Sequence, residues 1–159
     1  MRGGVLTGLR WRGLSFDELS AVELYRLLRL RAEVFVVEQA CAFQDLDGLD
    51  DQAVHWLGEV TDGQGDPMLL AYTRLLPAGT AFAEASIGRV VTSPLARGTG
   101  VGHTLMSESI AELQRRWGVQ PIRIGAQAHL QTYYRQHGFE PDGDVYLEDG
   151  IDHIEMIRP

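Results

Sequence analysis

A mixed α/β fold, with a mostly antiparallel central sheet flanked by helices, is what this sequence predicts, on three observations. Strand-like stretches at 55–61 and 68–75 flank Asp62-Gly63-Gln64-Gly65-Asp66-Pro67, dense turn chemistry that folds the chain back as a hairpin. A β-branched stretch at 87–92 then runs through a glycine-rich turn into an amphipathic helix, and another strand follows at 121–126, which makes one strand–helix–strand crossover. Two last strands, 144–147 and 151–157, close the chain as a terminal hairpin. Antiparallel pieces with a single crossover between them are not a repeating parallel winding.

Taken in order, residues 1–8 read as a loose leader and 9–159 as one domain, since no internal repeat or low-complexity linker divides them. Residues 9–16 form a first strand. Ser20 is the N-cap of a helix reaching about residue 37, with Leu24, Leu27, Leu28, Ala32 and Phe35 at helical spacing as its buried stripe. Residues 39–52 are polar, carry Asp45, Asp47, Asp50 and Asp51, and read as a solvated loop. The helix after the glycine turn puts Val101, Leu105, Met106, Ile110, Leu113 and Trp117 on one face, and Gly118 ends it. Residues 129–137 make a short helix closed by Gly138.

The 14 basic and 22 acidic residues leave a net charge of −8, which argues against nucleic acid or an anionic membrane as partner and matches a mobile cation or an amine better. Cys41 is the single cysteine, so an internal disulfide is excluded and a reducing cytoplasm is expected. No apolar run reaches the length of a membrane span, and the first residues lack a signal-peptide core.

Most of the chemistry lies in Ile87-Gly88-Arg89-Val90-Val91-Thr92-Ser93-Pro94-Leu95-Ala96-Arg97-Gly98-Thr99-Gly100-Val101-Gly102-His103. Glycines let backbone approach a ligand closely, and the first turn of a helix offers unpaired N–H groups at the positive end of its dipole. Arg97 adds a full charge at the same place. The segment is built to hold a pyrophosphate. A dinucleotide fold needs an acidic residue ending the next strand, and Ile124-Gly125-Ala126-Gln127 has none. A P-loop needs Lys-Ser/Thr after its last glycine, where this chain has His103-Thr104.

Arg97-Gly98-Thr99-Gly100-Val101-Gly102 fits Arg/Gln-x-x-Gly-x-Gly/Ala, and with it the chain resembles the GNAT acyl-CoA-dependent N-acetyltransferases. Gln127, Tyr134 and Gly138-Phe139 resemble a second block of that family, with Gln127 in place of its usual Asn and Leu130 in place of its usual Ala. Leu30-Arg31-Ala32-Glu33-Val34-Phe35-Val36-Val37-Glu38-Gln39, Phe43-Gln44-Asp45-Leu46-Asp47 and Asp149-Gly150-Ile151-Asp152-His153-Ile154 are similar to the ElaA-like branch.

The resemblance implies a GNAT-type sheet in which a splayed strand pair forms an acyl-CoA cleft. It implies an acetyl-CoA-dependent N-acetyltransferase that moves the acetyl group directly to an amine in a ternary complex. The alternative is a non-catalytic acyl-CoA-binding sensor or interaction module. Val90, Val91 and Thr92 are expected to pair with the pantetheine arm, a free Val91 amide polarising the thioester carbonyl. Gly98, Thr99, Gly100, Val101, Gly102 and His103 surround the pyrophosphate with Arg97, and Gln127 adds a contact. Tyr134 is expected near the departing sulfur as general acid or hydrogen-bond donor, the spacing to Gly138-Phe139 selecting it over Tyr133. Read without the resemblance, Val91 is a paired strand residue and Tyr134 a packed aromatic. The proton acceptor is expected to be Glu84, which precedes the cofactor strand, with Glu38, His55, His153 or a water chain as alternatives. Each of these residues also reads as structural. The acidic stretch lacks the terminal glutamate of a calcium loop, so no metal is expected, and Cys41 is not needed as a nucleophile. A homodimer through the terminal strands is compatible with the fold.

Overall fold

The computed structural model describes residues 8–159; the expected leader lies outside them except for Gly8, an exposed turn residue. Strand β1 (Arg10–Ser15) pairs antiparallel with β2 (Val54–Thr61), β2 with β3 (Pro67–Leu76), and β3 with β4 (Ser86–Thr92). A second antiparallel group places β8 (Ile151–Arg158) between β5 (Ile122–Gln127) and β6 (Glu140–Pro141), with β7 (Tyr146–Glu148) also on β8. One parallel bridge, Ala85 to Ile122, joins the two groups, fastened by Arg123 N–H to the Ala85 carbonyl at 2.9 Å. The central sheet is therefore two antiparallel halves touching at one end. The two-residue strand β6 was not legible in the sequence.

Helix α1 (Ala21–Arg31) starts where Ser20 accepts from Glu23 N–H at 3.1 Å and Glu23 accepts from Ser20 N–H at 2.9 Å. It then widens into a π-helical turn over Ala32–Glu38. Leu27, Leu30 and Val34 are buried against Leu57, Tyr72 and Val91 on one face of the first sheet half. Ala32, expected in the stripe, is exposed, and Arg31 is fully buried beside Leu30. The apolar period alone could not show that a charged residue holds the central position.

Helix α2 (Val101–Trp117) covers the opposite face, as its periodicity requires. Met106, Ile110 and Leu113 pack on Leu75, Ile87, Ile122, Ile124 and Met156, so this one helix spans both sheet halves. Val101 and Leu105 pack on Trp56, Val60 and Leu70. Helix α3 (Gln131–Arg135) follows a short 3-10 turn and ends where Phe139 N–H bonds the Tyr134 carbonyl across Gly138, whose φ is +91°.

Candidate active site

Beyond the Ala85–Ile122 bridge, β4 and β5 share no further pairing and separate. The gap is a cleft of about 730 Å³, within the range of small-molecule sites, with β4 from Ile87 to Thr92 on one wall and Ile124, Gly125 and Gln127 on the other. The π-helical turn and the loop after it form its roof through Phe35, Glu38, Gln39 and Phe43.

Strand β4 presents backbone to this cleft because of a β-bulge. Tyr72 pairs with Val91 but Arg74 pairs with Gly88, so Arg89 and Val90 together oppose Thr73. Arg89 takes φ +51°, a left-handed conformation uncommon outside glycine. Ser93 N–H bonds the Leu70 carbonyl at 2.8 Å, and antiparallel alternation makes Val91–Tyr72 the next hydrogen-bonded pair. The Val91 N–H therefore turns to β3 and is not the free amide expected. The Val90 carbonyl and both backbone groups of Thr92 turn to the cleft.

The strand runs on into a 3-10 turn, Pro94–Ala96, and then the glycine loop. Gly98 and Gly100 have φ of +76° and +83°, and Gly100 is the left-handed N-cap of α2. A β-carbon on Gly100 or Gly102 would meet nothing within 4 Å, so the space in front of these two glycines is open. Thr99 braces it by donating to the Ala96 carbonyl and accepting from Val101 N–H at 3.4 Å. His103 N–H is already bonded to the Gly100 carbonyl at 3.2 Å, which leaves fewer free amides than the motif implied. Arg97 reaches Glu38 across the cleft at 2.7 Å, an exposed and therefore weak pair that a phosphate can displace.

A family model described as an acetyltransferase (GNAT) domain matches residues 56–158, which carry the splayed strand pair and the glycine loop. Escherichia coli Protein ElaA is 44% identical over 152 residues, spanning 94% of this chain and 96% of that one. The chain is a GNAT acyltransferase of the ElaA-like branch. The crystal structure of an acyl-CoA N-acyltransferase from Pseudomonas aeruginosa superposes with a TM-score of 0.87 at 45% identity, covering 96% of this chain and all of that one. The crystal structure of Escherichia coli ElaA gives 0.85 at 43% identity, with 95% and 99% covered.

In this GNAT chain Tyr134 lies on the cleft wall, 6% exposed, edge-on to Tyr133 and Phe139 at 4.9 and 6.0 Å between ring centres. Burial, with a smaller push from Tyr133, raises its phenol well above the usual tyrosine range, so it remains a proton donor at neutral pH. Tyr133 instead donates to the Gly102 carbonyl at 2.6 Å and anchors α3 to the start of α2. Gln127 donates weakly to Gln39 at 3.4 Å, linking β5 to the roof.

The expected proton acceptor fails on position. Glu84 sits at the closed end of the GNAT cleft, where β4 and β5 meet, and does not line it. Its carboxylate is paired with Arg123 at 3.1 Å and held below the usual range, first by that hydrogen bond. His55 is fully buried elsewhere. Its Nε2–H donates to the Asp50 carbonyl at 2.8 Å and its Nδ1 accepts from Tyr72 at 2.6 Å, so both nitrogens are spent, and burial keeps the ring neutral. Glu38 and His153 do line the cleft.

The acidic stretch is a largely exposed loop, as expected, but three of its four aspartates are ion-paired and not free in solvent; only Asp51 among them stands outside the pairs. Arg31 binds Asp45 at 3.0 Å and Asp50 at 2.7 Å, Arg74 binds Asp47 at 2.8 Å and Asp50 at 3.1 Å, and Arg89 binds Asp45 at 2.8 Å and Asp47 at 3.3 Å. Three arginines from α1, β3 and β4 and three aspartates of the loop thus form one network. Among the described residues no cluster of three His, Cys, Asp or Glu side chains could hold a metal, and no helix is long and apolar enough to cross a membrane.

Proposed function

We propose that this chain transfers an acetyl group from acetyl-CoA directly to an amine in a ternary complex. The observation that carries the reading is a single cleft lined by the backbone of β4, by Tyr134 and by Arg97, the residue from which the open glycine loop runs into α2. Gly98, Gly100 and Gly102, with Arg97, would hold the pyrophosphate; a β-carbon on Gly100 or Gly102 would meet nothing, so the space in front of these two is open. The cleft-side groups of Val90 and Thr92 would pair with the pantetheine amides like an added strand, and an N–H there would polarise the thioester carbonyl. Acetyl-CoA supplies the activated acyl carbon. Tyr134 would hold the departing sulfur and give it a proton. The reading takes the enzyme as cytoplasmic, where its single thiol stays reduced.

The test pairs calorimetric binding of acetyl-CoA with thiol release in the presence of amines. All 14 basic side chains are arginine, so lysine self-acetylation contributes no background. Gly102→Glu puts a carboxylate into open space at a helical residue with no left-handed strain. It is expected to weaken acetyl-CoA binding at least about a hundredfold, roughly 3 kcal/mol, with an unchanged unfolding midpoint. Unaltered affinity would remove the loop from the site. Tight binding with no turnover across polyamines, amino sugars and peptides would make the chain a sensor.

A further inference from the structure

The cleft has a second end, away from the glycine loop, built by the β7–β8 hairpin. Its two-residue turn, Asp149-Gly150, has φ of +50° and +77°, as a tight hairpin requires, and Cys41 Sγ donates to the Asp149 carbonyl at 3.2 Å, fastening hairpin to roof. His153 stands on β8 opposite Gln127 of β5 and Tyr146 of β7, about nine-tenths buried. Its Nδ1 lies 2.8 Å from the Ile151 carbonyl. A carbonyl only accepts, so Nδ1 carries the hydrogen and the neutral ring keeps its lone pair on Nε2. The Tyr146 ring stacks on the imidazole at 5.9 Å and fixes its plane. Glu148 lies 3.5 Å from Nε2, placed to receive the imidazolium once Nε2 takes a proton.

Four carboxylates line the cleft. Glu38 is paired with Arg97, and Asp47 with Arg74 and Arg89. Glu148 and Asp149, both on the hairpin, have no arginine partner among the described residues. Phe35 and Leu130 give the cleft apolar lining.

We infer that this hairpin end is the acceptor site, that it takes a cationic primary amine with an apolar body, and that His153 is the base that deprotonates it. The inference rests on the acetyltransferase reading. Glu148 and Asp149 attract the ammonium, which loses one proton to solvent on reaching the site, and the apolar lining holds the body. The neutral nitrogen forms the new C–N bond and its remaining extra proton passes to His153 Nε2. The C–S bond breaks with its electron pair on sulfur, which takes a proton from Tyr134. Water then accepts the proton from His153 and returns one to Tyr134.

Thiol release is measured for phenethylamine, tyramine and spermidine against glutamate and aniline, with acetyl-CoA affinity determined in parallel. Wild type is expected to prefer phenethylamine over glutamate at least about tenfold in kcat/KM. Glu148→Gln should raise KM for phenethylamine several-fold, leaving acetyl-CoA affinity unchanged. His153→Gln and His153→Ala should lower kcat about a hundredfold or more and remove the acid limb of the pH–rate profile. The ionisable groups that could mimic that limb are Glu148, Asp149 and Tyr146 on the hairpin and Glu38 and Cys41 on the roof. Added imidazole should restore part of the His153→Ala rate, which loss of packing alone would not allow. Turnover of glutamate or aniline but of no cationic amine, no preference for cations, or His153 variants with wild-type rate and pH profile would overturn the inference. Tight acetyl-CoA binding with turnover of no amine at all, or failure of wild type to bind acetyl-CoA, would instead overturn the transferase reading beneath it.

Discussion

At the scale of single residues, Tyr134 is a side chain whose burial and chemistry point the same way. An exposed phenol is already a poor acid at neutral pH, and burial makes its proton still harder to lose to water. In the proposed transfer the hydroxyl would be a protonated hydrogen-bond donor to the departing sulfur, and proton transfer would follow only where the same low-dielectric wall makes the thiolate the stronger base. Tyr134→Phe keeps the ring contacts with Tyr133 and Phe139 and removes only the hydroxyl. We expect kcat to fall about tenfold or more with acetyl-CoA affinity unchanged, measured by thiol release and calorimetry. An unaltered rate would leave Tyr134 a packing residue. The family resemblance, through the spacing to Gly138-Phe139, selected Tyr134 over Tyr133; in the fold Tyr134 lines the cleft, and Tyr133 is bonded to the Gly102 carbonyl. Glu84 was misread. A position just before a strand says nothing about which end of a splayed pair is open, and that end is set by the Ala85–Ile122 bridge.

At the scale of elements, the bulge of β4 is held by chemistry far away in sequence. Arg89 sits at φ +51° while its guanidinium binds Asp45 and Asp47 and lies 5.8 Å over the Phe43 ring. The ion pairs offset a backbone conformation that costs about 1 kcal/mol or more for a side chain other than glycine. Removing the arginine leaves Asp45, only 5% exposed, with one cationic partner fewer. Arg89→Ala should therefore lose about 2–4 kcal/mol of stability in urea unfolding. Arg89→Gly loses the same pairs but relieves the strain, so it should be more stable than the alanine variant by about 1 kcal/mol. An alanine variant as stable as the glycine one would show that the bulge is not strained. Elements whose signals are local, such as the Asp62–Pro67 hairpin, the Ser20 cap and the Gly118 stop, were legible in the sequence. The bulge was not, since it depends on Asp45 more than forty positions away, and with it went the direction of the Val91 amide.

Across the whole molecule, the buried ion network ties α1, β3 and β4 to the loop that roofs the cleft, so acid should act on stability and site together. Burial alone would raise the Asp47 carboxyl, but hydrogen bonds from Arg74 outweigh it and bring the group down to about 2. Asp50 is likewise lowered against its burial, by Arg31 and then Arg74. A carboxyl depressed on folding binds its proton more readily in the unfolded chain, where it titrates near 3.9. Its contribution is therefore fully present above about pH 4 and is lost as pH falls through about 2. For Asp47, a quarter exposed, this amounts to roughly 1–2 kcal/mol after allowance for solvent screening. The unfolding free energy of wild type should exceed that of Asp47→Asn by about this amount at pH 6, and the gap should close between about pH 4 and pH 2. Because Asp47 also holds Arg89, the variant should show a raised KM for acetyl-CoA at neutral pH. A gap that persists unchanged into acid would mean that the network contributes through shape and packing, and that its charges balance the cost of burying them.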